Sequence, residues 1–372
     1  MRRALRALVA VTTVSAVVAV PAAAVAAPAG RDQAGLQKQL DDVVDAVAVG
    51  AVAEVRDGHH VWRGSSGVAE LGTTREVPVN SRFRAGSITK TFLATVVLQL
   101  VDEGTLRLDD SVESWLPGVV PGGDGITLRQ LLNHTSGVFD YRLTLTLPPS
   151  PEFLNYRWRT WSASELIERA VAQPSQVDPP GSAFSYSNTN YTLLGEIVRK
   201  ATGHSYADEI DRRIIKPLRL KDTELPGTST RIRGPHPHGY LPVQRSESEP
   251  ELVDFTEMNP SLFGAGGELI SSTADLNRFF TALLGGHLLP RHLFDEMKTA
   301  GTETRAYGLG LSWRDTTCGI RLYGNDGDAL SYQSWSFSSR DGRHQVTIAV
   351  TPTFKANPDA AVDNFLNKAV CG

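Results

Sequence analysis

The sequence predicts a mixed α/β (α+β) fold, with one antiparallel sheet built from strands at both ends of the chain and flanked by helices. A mostly helical lobe, about residues 98–280, is inserted between those strands. Three observations predict it. A β-hairpin signal lies near the N-terminus, and several strand signals lie near the C-terminus. Between them, helix-periodic segments alternate with loops rich in Pro and Gly. A cleft between sheet and lobe is then the expected place for a site.

The elements follow in chain order. Arg2, Arg3 and Arg6 precede a largely apolar stretch, Ala7 to Val20, and the small-residue site Ala24-Val25-Ala26. Residues 1–26 read as a secretory signal peptide. Arg6 interrupts the apolar residues that a twin-arginine signal needs, so the general secretory route is expected. Gln37 to Val47 carries helical periodicity through Leu40, Val43, Val44 and Val47. Ala51 to Val55, the turn Arg56-Asp57-Gly58 and His60 to Arg63 form the hairpin. Ser162 to Glu165 has capping-box spacing before a helix. Thr189 to Thr202 reads as a helix closed by Gly203. Leu276 to Leu284 reads as another, closed by Gly285-Gly286. Ile320 to Tyr323, Leu330 to Ser338 and Val346 to Val350 are strand-like, and Ala361 to Val370 closes the chain as a helix.

Composition bounds the function. The chain has 372 residues, 41% hydrophobic and 21% charged, with formal net charge −4. These are ordinary values for a globular protein. No Lys/Arg cluster points to nucleic acid or a membrane surface. No second long apolar stretch follows the signal, so a secreted, extracellular protein without a membrane anchor is expected. Nine histidines are scattered, with neither H-E-x-x-H nor C-x-x-C, so no metal site and no cofactor is implied. His236-Pro237-His238 reads as a turn, and His59-His60 as part of the hairpin. Only two cysteines occur, Cys318 and Cys371. In an exported chain they read as one disulfide, worth about 4 kcal/mol in the chain-entropy model, or else as two free thiols.

Ser87-Ile88-Thr89-Lys90 opens a long apolar run, Thr91 to Val101, closed by Gly104. The run predicts a buried helix. Residues three apart share a helix face, so Ser87 and Lys90 meet at its N-terminus. A serine hydroxyl needs a group to take its proton, and a lysine of lowered pKa supplies one. The helix dipole favours negative charge developing there. The plainer reading is a capping serine beside a surface lysine. The apolar run after Lys90 opposes that reading, as does Gly86, which leaves room for a substrate. Tyr186-Ser187-Asn188 follows Pro179-Pro180-Gly181. Tyr186 is either a core aromatic or a proton shuttle to a leaving group. Asn188 is either a helix cap or a holder of a substrate amide.

Ser87-x-x-Lys90 followed by Tyr186-x-Asn188 resembles the penicillin-recognising serine hydrolases, in the branch of class C β-lactamases and D-alanyl-D-alanine carboxypeptidases. The likeness continues through Phe83 to Ser87, Gln99 to Gly104, Leu131 to Gly137, Pro180 to Asn190, Ile270 to Ser272 and Tyr307 to Leu311. It reaches the placement of Cys318 and Cys371 in secreted actinomycete carboxypeptidases. It covers residues 32–372 as one catalytic domain of β-lactamase/transpeptidase-like fold. The resemblance implies that Ser87 attacks a carbonyl to form an acyl-enzyme, and that Lys90 and Tyr186 manage protons. It also implies an oxyanion hole made by the backbone N–H groups of Ser87 and Asp328. The third family element departs from the pattern. Where the family has Lys-Thr-Gly or His-Thr-Gly, this chain has Asn325-Asp326-Gly327, then Asp328. Gly327 keeps the backbone open to a ligand, but the basic residue is replaced and acids have arrived. An arginine that helps the related carboxypeptidases hold a terminal carboxylate is Ser312 here, with Arg314 nearby. Asp326 either repels a carboxylate or is neutralised by Arg314 or Arg321.

The expected function is therefore a secreted, monomeric serine hydrolase of the D-alanyl-D-alanine carboxypeptidase type. Its substrates would be small peptides, amides, esters or β-lactams, preferably without a free carboxylate beside the scissile bond. A β-lactamase or broad esterase on the same scaffold is the alternative. A catalytically impaired protein that binds penicillin or peptidoglycan is the alternative of another class.

Overall fold

Asp32 caps the first helix, α1 (Gln33–Val47), through a 2.8 Å bond from the Gly35 N–H. The computed structural model describes residues 32–372, so the signal segment expected at 1–26 lies outside the described residues. Leu36, Leu40, Val43 and Val47 form the buried stripe of α1, the spacing of one helical face. The chain then enters β1 (Ala48–Asp57) and returns through Gly58, at φ +58°, into β2 (His60–Gly67).

The sheet is completed from the other end of the sequence by β3 (Ser312–Asp315), β4 (Arg321–Asp328), β5 (Gln333–Ser339) and β6 (His344–Pro352). Six strands run in the order β2-β1-β6-β5-β4-β3, antiparallel at every pairing. Ala51 faces Val350 and Val55 faces Val346 where the two chain ends pair. The sheet joining both ends is thus as expected, with β3 as an additional edge strand. Successive side chains of β1 point to opposite faces. Ala51, Ala53 and Val55 meet α1 and the closing helix α5 (Asp359–Cys371), while Val52 joins the core of the other layer. On that second face lie α2 (Ile88–Asp102) and α4 (Thr273–Leu284). Phe92 of α2 and Phe279 of α4, both fully buried, stack at 3.7 Å. Burying each such ring stabilises by about 1.5–3 kcal/mol.

The inserted region holds α3 (Asn188–Thr202), other short helices and one feature not expected: a small sheet, Tyr240–Val243 with Glu251–Asp254. Segments of four residues are too short for an alternating pattern to register. A second small sheet pairs Arg82–Arg84 with Ile270–Ser272 and fixes the start of α2. The capping box expected at Ser162 is half made. Ser162 accepts from the Glu165 N–H, but the Glu165 carboxylate turns to Arg159. Cys318 and Cys371 form a disulfide across a separation of 53 residues, tying the turn between β3 and β4 to the end of α5. Among the described residues no helix is long and apolar enough to cross a membrane.

Candidate active site

Helix α2 is buried on nearly every side, so a polar side chain in its first turn is carried into the interior. Ser87 stands at the N-cap position, and Lys90, one turn on, is fully buried. Lys90 Nζ lies 3.0 Å from Ser87 Oγ, 2.9 Å from Asn188 Oδ1 and 2.6 Å from the Gly266 carbonyl oxygen. A neutral amine has two hydrogens and one lone pair. Asn188 Oδ1 and the Gly266 carbonyl are acceptors and take the hydrogens. The lone pair is left for the Ser87 hydroxyl. Burial lowers the Lys90 pKa to about 7; Asp140 and Asp326 pull it back up, and Arg142 pushes it further down.

Tyr186 Oη is 2.7 Å from Ser87 Oγ. Burial, then the neighbouring Tyr307, raise the Tyr186 phenol well above its ordinary value. It therefore rests protonated, as a donor. The ring is held from behind by His134, whose centroid is 4.2 Å away. His134 is fully buried, and burial keeps it neutral; its Nδ1 accepts the Ser187 N–H at 3.2 Å. It does so from a left-handed backbone at φ +61°, a conformation that a non-glycine residue holds only under tertiary constraint.

Two expectations about neighbouring residues change. Gly86, at φ +53°, does not leave room for a substrate. A Cβ there would meet the N, C and O atoms of Asp328 at 2.7 Å. The missing side chain instead lets the end of β4 close against the start of α2. Asn188 does not present its amide to the cleft. It is 5% exposed; its Oδ1 faces Lys90, and its Nδ2 donates to Asp140 Oδ2 at 3.0 Å. The amide is consumed in holding the lysine.

The third element alternates as a strand does. Asn325 and Gly327 are buried, and Asp326 and Asp328 face the cleft. Asn325 turns inward, donating to Thr91 Oγ1 at 3.2 Å and accepting the Asp326 N–H at 3.1 Å. A Cβ on Gly327 would stand 1.9 Å from the Ala85 carbonyl oxygen. The Ala329 N–H bonds to the Tyr332 carbonyl across the turn into β5. By ladder alternation, the Asp328 N–H then points away from β5, on the side where β3 has ended and Ser87 lies. Arg314 is split between Asp363 at 2.5 Å and Asp326 at 3.7 Å. Arg321 pairs with Asp315 and takes no part.

A cleft of about 450 Å³ opens over Ser87 and Tyr186. Asn325, Asp326 and Asp328 of β4 line it, together with Phe184, Arg305, Tyr307, Trp313, Arg142 and Arg314. Sequence reasoning missed Asp140, Arg142, Gly266 and Arg305. Gly264 to Gly267 did carry a signal, three glycines in four residues shortly before the strand Ile270–Ser272. Arg142 and Arg305 carried none.

A family model described as Beta-lactamase matches residues 36–371. A D-stereospecific amidohydrolase from Streptomyces sp. is 38% identical and superposes with a TM-score of 0.81, over 89% of this chain and 98% of that one. The D-amino acid amidase of Ochrobactrum anthropi SV3 is 26% identical with a TM-score of 0.79, over 91% and 98%. Penicillin-binding protein 4* of Bacillus subtilis (strain 168) is 28% identical over 311 residues, which is 79% of this chain and 66% of that protein. This chain therefore spans just under two-thirds of that relative's length.

Proposed function

This chain belongs to the beta-lactamase family of serine hydrolases, and we propose that Ser87 forms an acyl-enzyme with small amides, esters and short peptides whose acyl part carries a free amino group. The single observation carrying the chemistry is the bonding of Lys90, which aims one lone pair at the Ser87 hydroxyl. As Ser87 Oγ bonds to the carbonyl carbon, its proton moves to Lys90 Nζ. The carbonyl oxygen takes the negative charge between the N–H groups of Ser87 and Asp328. The C–N or C–O bond to the leaving group then breaks as Tyr186 Oη gives up its proton. Water then attacks the ester carbonyl carbon and gives its proton to the Tyr186 phenolate, and the carbon–Oγ bond breaks as Lys90 returns its proton to Ser87 Oγ.

The substrate class rests on the acids of the third element. In an α-amino acyl group the ammonium sits two bonds from the carbonyl carbon. With the oxygen at the Asp328 N–H, that ammonium falls beside the Asp328 carboxylate, whose Oδ1 accepts the Leu330 N–H at 2.7 Å while Oδ2 takes no hydrogen bond among the described residues. The D-amino acid amidase among the similar structures favours the same class, and the D-stereospecific amidohydrolase favours an amide substrate. A D-alanyl-D-alanine carboxypeptidase is the second reading. It is favoured by Arg142 and Arg305, cleft arginines with no carboxylate at ion-pair distance among the described residues. The N-terminal sequence favours an exported enzyme.

A substrate panel separates these readings. D-phenylalanine amide should exceed its N-acetylated form in kcat/KM by at least about tenfold, the scale of a partly solvated charge pair. It should also exceed a peptide ending in free D-alanyl-D-alanine. A large preference for that free acid would replace the proposed class with the second reading, and rapid steady turnover of nitrocefin would point to a β-lactamase.

A further inference from the structure

We propose that Asp140 is a positioning residue, which holds Asn188 in the one amide orientation that leaves the lone pair of Lys90 free for Ser87. The inference rests on the Ser87–Lys90 reading above and adds to it the group that enforces the geometry.

An asparagine amide has an accepting end and a donating end, and nothing in its shape prefers one over the other. If Asn188 turned over, its NH₂ would point at Lys90 Nζ. A neutral amine would then spend its lone pair on that donor, and Ser87 would lose its base. The structure contains one group that forbids this. Asp140 is 6% exposed and sits at the cap of the turn Tyr141–Thr144. Its Oδ1 accepts the Arg142 N–H at 3.1 Å, and its Oδ2 accepts from Asn188 Nδ2 at 3.0 Å. An ionised carboxylate offers acceptors only. Asn188 must therefore show it the NH₂ end and show Lys90 the oxygen. The chain of contacts runs Asp140, Asn188, Lys90, Ser87 without a gap.

The amide introduced by Asp140→Asn cannot satisfy both neighbours. If its oxygen faces the Arg142 N–H, its NH₂ meets the Asn188 NH₂, which drives Asn188 over. If its oxygen faces Asn188, its NH₂ meets the Arg142 N–H. With Asn188 in its present orientation, either arrangement opposes two donors in a buried site, the costly outcome for polar groups, and in the first the opposition is relieved only by Asn188 turning its NH₂ towards Lys90.

Removing the carboxylate also removes a charge. The groups around Lys90 are Asp140 and Arg142 from this turn, Asp326 from β4, Tyr186 from its loop, Tyr191 of α3 and His134. The two tyrosines and His134 are neutral, so Asp140 and Asp326 are the anions that favour the lysine's proton, against Arg142. Loss of Asp140 lets Lys90 deprotonate more readily, and the acidic limb of acylation moves to lower pH. A residue with a merely structural role would lower the rate and leave that limb where it was.

The test is the pH dependence of Ser87 labelling by a fluorophosphonate, followed by intact-protein mass. The full chain is used as wild type, Asp140→Asn, Asn188→Ala and the double variant. Asp140→Asn should slow labelling by about tenfold to a hundredfold, the cost of a reacting group displaced within its site, with its acidic limb at lower pH than in wild type. In the Asn188→Ala background the same change should slow labelling little further, because the residue through which Asp140 acts is gone. Asp140→Ser keeps an oxygen for the Arg142 N–H, and it should move the limb in the same direction even if Asp140→Asn fails to fold. A limb that stays in place, or rate losses that simply multiply in the double variant, overturns the role of Asp140. Wild-type protein that takes no label at any pH removes the acyl-transfer reading itself, and this inference with it.

Discussion

Ser87→Ala should lower kcat/KM by about 10⁴-fold or more on any substrate the wild type turns over, because no other group in the cleft can take over covalent attack. The fold should be indifferent to the change. Among the described residues the Ser87 hydroxyl bonds only to Tyr186 and Lys90, and its removal leaves Lys90 with both of its acceptors, Asn188 and Gly266. Thermal unfolding should shift by no more than the equivalent of about 1 kcal/mol. Steady-state rates on the preferred amide and a melting curve check the two halves of this expectation. A variant retaining a tenth of wild-type activity would mean that Ser87 is not the nucleophile.

Gly327→Ala should have the second largest effect, and it reaches the site through the backbone. The new Cβ would lie 1.9 Å from the Ala85 carbonyl oxygen and 2.9 Å from its carbonyl carbon. Both are main-chain atoms two residues before the nucleophile, and no flexible side chain can give way. β4 must therefore move off the start of α2, which carries the Asp328 N–H away from Ser87. Loss of one oxyanion donor costs about 10²–10³ in kcat, and the enforced overpacking costs about 1–3 kcal/mol of stability. Gly125→Ala is the matched control. Its Cβ meets nothing within 4 Å, so it should stay within about 0.5 kcal/mol of wild type at full activity. Full activity of Gly327→Ala would contradict the placement of Asp328 in the oxyanion hole.

How much of this was legible in the sequence depends on the kind of information each feature carries. Helix α2 was readable because an apolar run bounded by Ser87 and Gly104 has few other solutions. The strands β1, β2 and β6 were readable for their alternating or β-branched runs. Strand β3 was not, because Ser312–Asp315 is a short edge strand whose residues are half-exposed or exposed. In the site, Ser87 and Lys90 came from spacing on one helix face. Tyr186 came from its position after a chain breaker and from the family resemblance. Asn188 was singled out, but its role was misjudged. An amide fits a substrate and a lysine equally well in chemistry, and only the position of Asp140 decides between them. Gly266 contributes a carbonyl oxygen, which every residue has, so side-chain identity could not reveal it. Arg142 and Arg305 reach the cleft from a short helical turn and a loop about 160 residues apart, and no local pattern links them.

The most direct test of the central claim is the rate of covalent labelling of Ser87 in wild-type protein across pH 5 to 11, read by intact mass. The account requires Lys90 to be a neutral base at moderate pH. Burial lowers its pKa to about 7, so the amine is protonated and idle below that value and free above it. Labelling should therefore rise through a midpoint near pH 7 and level off above it. A midpoint near the ordinary lysine value of about 10.4, or a folded protein that takes no label at all, would contradict it.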